Sequence, residues 1–185
     1  LESPGKDVEV LDTSADGRWL LTSINLGENR KDLVLHDLAA AKGAWIEWCN
    51  SPFDEDFGSF SPDSRWIAYT SDASGRMEVY VAPVAGGPSA HRFQISSGGG
   101  LEPRFSHDGK KIFYRSAKDE WMSADLDVLG DRINAKTPRV LFPLPVVDLP
   151  WVRNIVEVMP DGSGFIVVRP VVTRETSIRV RTVGR

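Results

Sequence analysis

Short runs of aromatic and β-branched residues, separated by polar turns, follow one another along this chain in sets of four. The set around residues 57–96 is the cleanest. Phe57–Phe60 is a short extended segment, and Pro62-Asp63-Ser64-Arg65 after it is turn chemistry: Pro presets φ, and Asp accepts from backbone amides two residues on. Trp66–Ser71 and Glu78–Ala82 then have the composition of buried strands, with the polar turn 72–76 between them. Gly86-Gly87-Pro88 breaks the chain, and His91–Ser96 alternates polar and apolar residues as an outer strand would. Four antiparallel strands joined by tight turns form one unit.

The same sketch fits three more stretches. The first set is Val8–Asp12, Trp19–Ile24, Leu33–Leu38 and Trp45–Cys49; the third is Pro103–Ser106, Lys111–Ser116, Glu120–Asp125 and Val140–Phe142. The fourth supplies Ile155–Met159, Phe165–Arg169 and Ser177–Val183, one strand short. Each set carries the same phrase: Thr13-Ser14-Ala15-Asp16-Gly17-Arg18-Trp19, Phe60-Ser61-Pro62-Asp63-Ser64-Arg65-Trp66, Phe105-Ser106-His107-Asp108-Gly109-Lys110-Lys111 and Val158-Met159-Pro160-Asp161-Gly162-Ser163-Gly164. The aspartates step by 47, 45 and 53 residues. A period of that size with four strands per unit is the signature of a β-propeller blade. The predicted class is all-β: four repeats of four-stranded antiparallel blades across residues 1–185, with blades at 7–50, 57–97, 101–143 and 152–183. Extra residues between Leu126 and Pro150 lengthen the third step, and no segment has helical periodicity over 11 residues or more. A helical turn at Asp37–Lys42 is the most that is expected, stopped by Gly43.

Asp16, Asp63, Asp108 and Asp161 are read as turn-makers. A calcium loop needs several oxygen ligands close together, and each turn offers one Asp and at most one Ser. Asp-Gly at three of the turns favours positive φ; Ser64 in place of that glycine predicts a different turn type in the second copy.

Composition changes this picture little. A 41% hydrophobic and 26% charged content fits an ordered globular domain rather than a disordered one. Net charge is −4 and the basic residues near the end alternate with apolar ones, which argues against a nucleic-acid surface. No apolar run reaches the length of a membrane helix, so no membrane insertion by this segment is expected. Cys49 is the single cysteine, so an internal disulfide is excluded. The chain opens at Leu1, which is expected of a processed chain or a piece of a longer one.

The repeats resemble TolB and the wider class of WD-repeat-like bacterial propellers, most clearly in Phe60–Ser71 followed by Glu78–Val81. Gly98–Ser106 with Phe113–Ser116 resembles more narrowly the C-terminal sensor propellers of bacterial receptor-type serine/threonine kinases. The resemblance implies a recognition module, a periplasmic or other extracytoplasmic setting, and a propeller of six or more blades where this chain shows four; a cytoplasmic setting stays open. Open blade edges then predict self-association.

Catalytic signals are weak. His36, His91 and His107 fall at different levels of different repeats, no serine sits in a Gly-x-Ser-x-Gly elbow, and Gly98-Gly99-Gly100 lacks the Lys-Ser/Thr of a phosphate loop. No catalytic residue, metal or cofactor is therefore assigned. The leading reading is a non-catalytic module that binds a protein or small-molecule ligand, as the sensor or scaffold part of a larger signalling protein. The alternatives are the gating propeller of a peptidase or other hydrolase, and a metal-dependent propeller lyase using Glu102 and Glu157. Candidate binding residues lie where aromatics meet charge: Trp48 with Asp54 and Asp56, Glu102 and Arg104 ahead of an inner strand, and Trp151 with Arg153 after the proline-rich stretch. Trp19 and Trp66 are expected in the core.

Overall fold

Tight turns between short strands leave each repeat to hydrogen-bond with itself, and the result is a series of separate antiparallel sheets. The computed structural model describes residues 7–27, 30–40, 44–144, 156–171 and 177–184, with side chains described as far as residue 168. The first sheet runs β1 (Val8–Thr13), β2 (Trp19–Gly27), β3 (Arg30–Asp37), β4 (Ala44–Cys49) in that spatial order. The second is β5 (Glu55–Phe60), β6 (Trp66–Ser71), β7 (Glu78–Pro83), β8 (Phe93–Gln94), with a one-turn helix α1 (Gly87–Ala90) between the last two. The third places β9 (Gly100–Phe105), β10 (Lys111–Ser116) and β11 (Glu120–Leu129) side by side. There β11 pairs with both β12 (Arg132–Ala135) and β13 (Arg139–Pro143). The described part of the fourth is β14 (Val156–Val158), β15 (Gly164–Val171) and β16 (Ser177–Gly184).

Two expectations need correction, and the extra residues of the third repeat gain a structure. The outer strand of the second repeat is only Phe93–Gln94, because Pro88 starts a helical turn and His91 merely ends it. The extra residues after Leu126 include ordered structure: β11 continues to Leu129 and folds back as a hairpin through β12. Ser64 does not change the turn type, since its φ of 58° matches Gly17 at 70°, Gly109 at 68° and Gly162 at 67°.

The turn is the same because its hydrogen bonds are the same. Ser14, Ser61 and Ser106 donate their hydroxyls to Oδ1 of Asp16, Asp63 and Asp108 at 2.5, 2.6 and 2.6 Å. Each hydroxyl also accepts from the amide five residues on, at Trp19, Trp66 and Lys111. Each Oδ1 accepts a second bond from the amide of Arg18, Arg65 or Lys110. Met159 occupies the serine position in the fourth copy, and Ser163 supplies Asp161 with both the hydroxyl and the amide. These bonds hold the Asp16, Asp108 and Asp161 carboxyls below the usual carboxylate range, the serine hydroxyl being the largest cause in each. Ser64 also accepts from the Asp16 amide at 3.2 Å, tying the second turn to the first.

Consecutive sheets meet face to face over apolar clusters. Leu21, Leu35, Trp48, Phe60 and Tyr69 fill the first junction, with Trp19 packed against them. Trp66, Val81, Phe105, Ile112 and Tyr114 fill the second. Phe113, Trp121, Val156, Val158 and Val167 join the third sheet to the fourth.

Candidate functional site

The first strand of each sheet is the inner one, and β5 lies against both β1 and β9. These strands are irregular in the same place. Pairing of β1, β5 and β9 to their neighbours shifts at Val10/Asp12, Asp56/Ser59 and Leu101/Arg104. Phe57 and Glu102, at equivalent positions, take φ values of 55° and 54°, which side-chain-bearing residues rarely adopt. Bulges of this kind turn the next side chains away from the regular pleat.

After each irregularity, one position before the repeat phrase's first residue, stand Asp12, Ser59 and Arg104, and Glu157 holds the same position in the fourth repeat. Each of the first three contacts the inner strand of the following repeat. Asp12 Oδ2 accepts from the Phe60 amide at 2.8 Å, and Ser59 donates to the Pro103 carbonyl at 2.9 Å. Arg104 lies 3.5 Å from the Glu157 carboxylate and also donates to its neighbour's carbonyl, at Pro103, at 2.8 Å. Burial raises the Asp12 carboxyl above its ordinary range; amide bonds from Phe60 and Thr13 and the charge of Arg104 oppose this, while Glu157 adds to it. Asp12, Arg104 and Glu157 thus share one electrostatic environment although the chain separates them widely. Asp12, Arg104 and Glu157 are the members that can ion-pair and hydrogen-bond with a ligand carrying both signs of charge, Ser59 being buried.

The other candidate residues have different surroundings. Trp48 lies in β4, 5% exposed, with its indole N–H donating to the Pro83 and Val84 carbonyls and its ring edge-on to Tyr69. It is part of the first junction rather than a ligand-facing loop. Asp54 accepts from the Lys31 amide at 2.8 Å, and burial raises its carboxyl. Asp56 is inside β5 and buried, 2.9 Å from the Lys31 ammonium. Glu102 is buried, with Oε1 3.6 Å from Arg115. Trp151 and Arg153 lie outside the described residues. Asp12 and Ser59 were missed by sequence reasoning; the available signal was their place in the repeat, the same as that of Arg104 and Glu157.

His36 is buried with Nε2 2.9 Å from Thr22 Oγ1, whereas His107 is exposed in its turn. Among the described residues no group of three or more His, Cys, Asp or Glu is placed to hold a metal ion. Nor is any described helix long and apolar enough to cross a membrane.

No family model matches the sequence, and no curated protein matches it. Solved structures do. The chain is similar to TolB from Acinetobacter baumannii at 15% identity and TM-score 0.63, over 96% of this chain and 41% of that one. A protein assigned as TolB from Agrobacterium tumefaciens matches at 19% identity and TM-score 0.57, over 76% and 52% respectively. The β-propeller domain of the Trilobed protease from Pyrococcus furiosus matches at 12% and 0.54, over 97% and 56%.

These are β-propeller repeats.

The likeness carries the fold alone. This chain spans about half the length of the chains it matches, between 41% and 56%. In a propeller the inner strands line the central channel, so the Asp12–Ser59–Arg104–Glu157 row belongs to the channel side of these repeats. None of the structures named here is a kinase sensor domain, and that narrower resemblance stays an expectation.

Proposed function

We propose that these propeller repeats form a non-catalytic recognition module in which the inner-strand row Asp12, Ser59, Arg104 and Glu157 meets a protein or small-molecule ligand. The observation that supports this is the pattern of polar side chains at one repeat position, linked strand to strand and combining one guanidinium with two carboxylates. A rigid scaffold presenting a few exchangeable side chains is how such folds select partners. A sensor or scaffold role in a larger signalling protein, placed outside the cytoplasm, follows from the family resemblance. Among the described residues β16 pairs only with β15, which supports self-association along that edge as a second mode of contact.

The test is quantitative affinity capture from a lysate with the native chain and with Arg104→Glu. A partner retained by the native chain and lost by the variant, at equal thermal stability, is the expected result. Identical captured sets would refute the assignment of the row. The likeness to a protease propeller favours a second reading, the gating propeller of a peptidase. A peptidase domain in the same full-length gene would decide for that reading.

A further inference from the structure

The first three repeats turn the same positions of their second and third strands toward the next repeat. The cross-strand pairs are Leu21 with Leu35, Ala68 with Val81, and Phe113 with Ser123. Two residues before the first member of each pair stand Trp19, Trp66 and Lys111. In the first two repeats the tryptophan packs with the apolar cluster that closes the junction, and Leu35 or Val81 is part of that cluster. The third repeat departs at both positions. Lys111 replaces the tryptophan and directs its ammonium to Asp125, while Ser123 replaces the buried aliphatic residue. From the fourth repeat, Gly164 and Phe165 line the same space.

The consequence is a cavity of about 700 Å³ between the third and fourth sheets, within the range of small-molecule sites. Phe113, Phe142 and Phe165 are among its walls. The Phe165 ring centroid lies 4.9 Å from Phe113 and 5.6 Å from Phe142, both edge-on, an arrangement that a further planar ring extends. Ser123 lines the same space at 2% exposure, and its hydroxyl has no hydrogen-bond partner among the described residues. Such a group is costly unless something completes it. At the mouth, the Asp108 and Asp161 carboxylates already accept bonds inside their own turns. Arg139 lines the cavity as well; among the described residues its guanidinium makes no close hydrogen bond or ion pair, and its charge acts at longer range on Asp125.

From this geometry we infer a binding site for a small planar aromatic carboxylate: ring among the phenylalanines, a polar atom at Ser123, carboxylate at Arg139. It is distinct from the inner-strand row, because Glu157 and Val158 are consecutive on β14 and point to opposite faces.

The 185-residue chain titrated with 2-naphthoate, with neutral 2-naphthol as comparison, tests this by ligand-detected NMR. Saturable one-site binding with a dissociation constant below about 1 mM is expected. Lys111→Trp and Ser123→Leu restore the residues of the other repeats and are expected to weaken both probes roughly tenfold or more. Arg139→Gln is expected to weaken 2-naphthoate about fivefold or more while leaving 2-naphthol unchanged. Near-ultraviolet circular dichroism checks that each variant is folded, and Ser123→Leu and Arg139→Gln decide the matter if Lys111→Trp does not fold. Undiminished binding by Lys111→Trp or Ser123→Leu, or no saturable binding by the native chain, would overturn the site. Equal loss of both probes in Arg139→Gln would overturn the carboxylate assignment.

Discussion

Replacing Glu78 probes how the chain is steered into the third repeat. Glu78 opens β7 and is 2% exposed. Its Oε1 accepts from the amides of Gly98 and Gly99 at 2.7 and 2.9 Å, and its Oε2 takes the Ser96 hydroxyl. Ser96 in turn accepts from the Val79 amide at 2.8 Å. The glycines are needed for this. Gly98 and Gly99 have φ of 102° and 103°, and a Cβ on Gly99 would stand 2.6 Å from the Ala117 Cβ. Three bonds to a buried carboxylate, each about 1.5–3 kcal/mol but not additive, put the loss for Glu78→Ala at about 3–5 kcal/mol. Glu78→Gln keeps an acceptor for the two amides and loses the charge, for about 1–2 kcal/mol. Urea unfolding followed by tryptophan fluorescence measures both. Amide hydrogen exchange at residues 98–101 localises the effect, since repeat chains open in parts. A loss below about 1 kcal/mol for Glu78→Ala, with no faster exchange at Gly98 and Gly99, would refute the role given to this carboxylate.

Ser64→Gly should stay within about 0.5 kcal/mol of the native chain, because relief of the positive φ is offset by glycine's extra unfolded freedom and by the lost bond to Asp16. Ser64→Val, β-branched at the same φ, should cost about 1–2 kcal/mol, read in the same urea titration. Trp48→Phe keeps the ring in the first junction but strands the Pro83 and Val84 carbonyls, so a loss of about 1–2 kcal/mol is expected by thermal melting. Burial holds the His36 imidazole below its ordinary value of 6.5. A depressed folded value favours the neutral ring, so this contribution is present above pH 6.5 and lost as pH falls through the folded value. The melting temperature should therefore drop between pH 7.5 and pH 5, by less in His36→Gln; equal slopes would exclude His36 as the source.

The turns were legible because their bonds are local. Ser14 reaches Asp16 and Trp19, and Asp16 reaches Arg18, all within one turn of chain. Strand composition and turn spacing likewise follow from short-range sterics, which is why the repeat and its all-β character could be read directly. Ser64 is the instructive failure. Its own preference argues for another turn, yet strand pairing on both sides and the bond to the Asp16 amide hold it at positive φ. Local preference lost to cooperative geometry.

By itself the sequence determined the strand-turn alphabet, the period, and hence the propeller repeats. Only tertiary structure decided what the non-local positions do, because their partners arrive when whole sheets stack. Trp48 beside an acidic run had the look of a binding residue until its indole N–H met carbonyls 35 and 36 residues away. Arg104 acquired its setting from Glu157, 53 residues on. Ser123 is an unremarked strand serine in one dimension; stacked against the fourth sheet, it becomes a buried hydroxyl in a cavity that its counterparts Leu35 and Val81 fill.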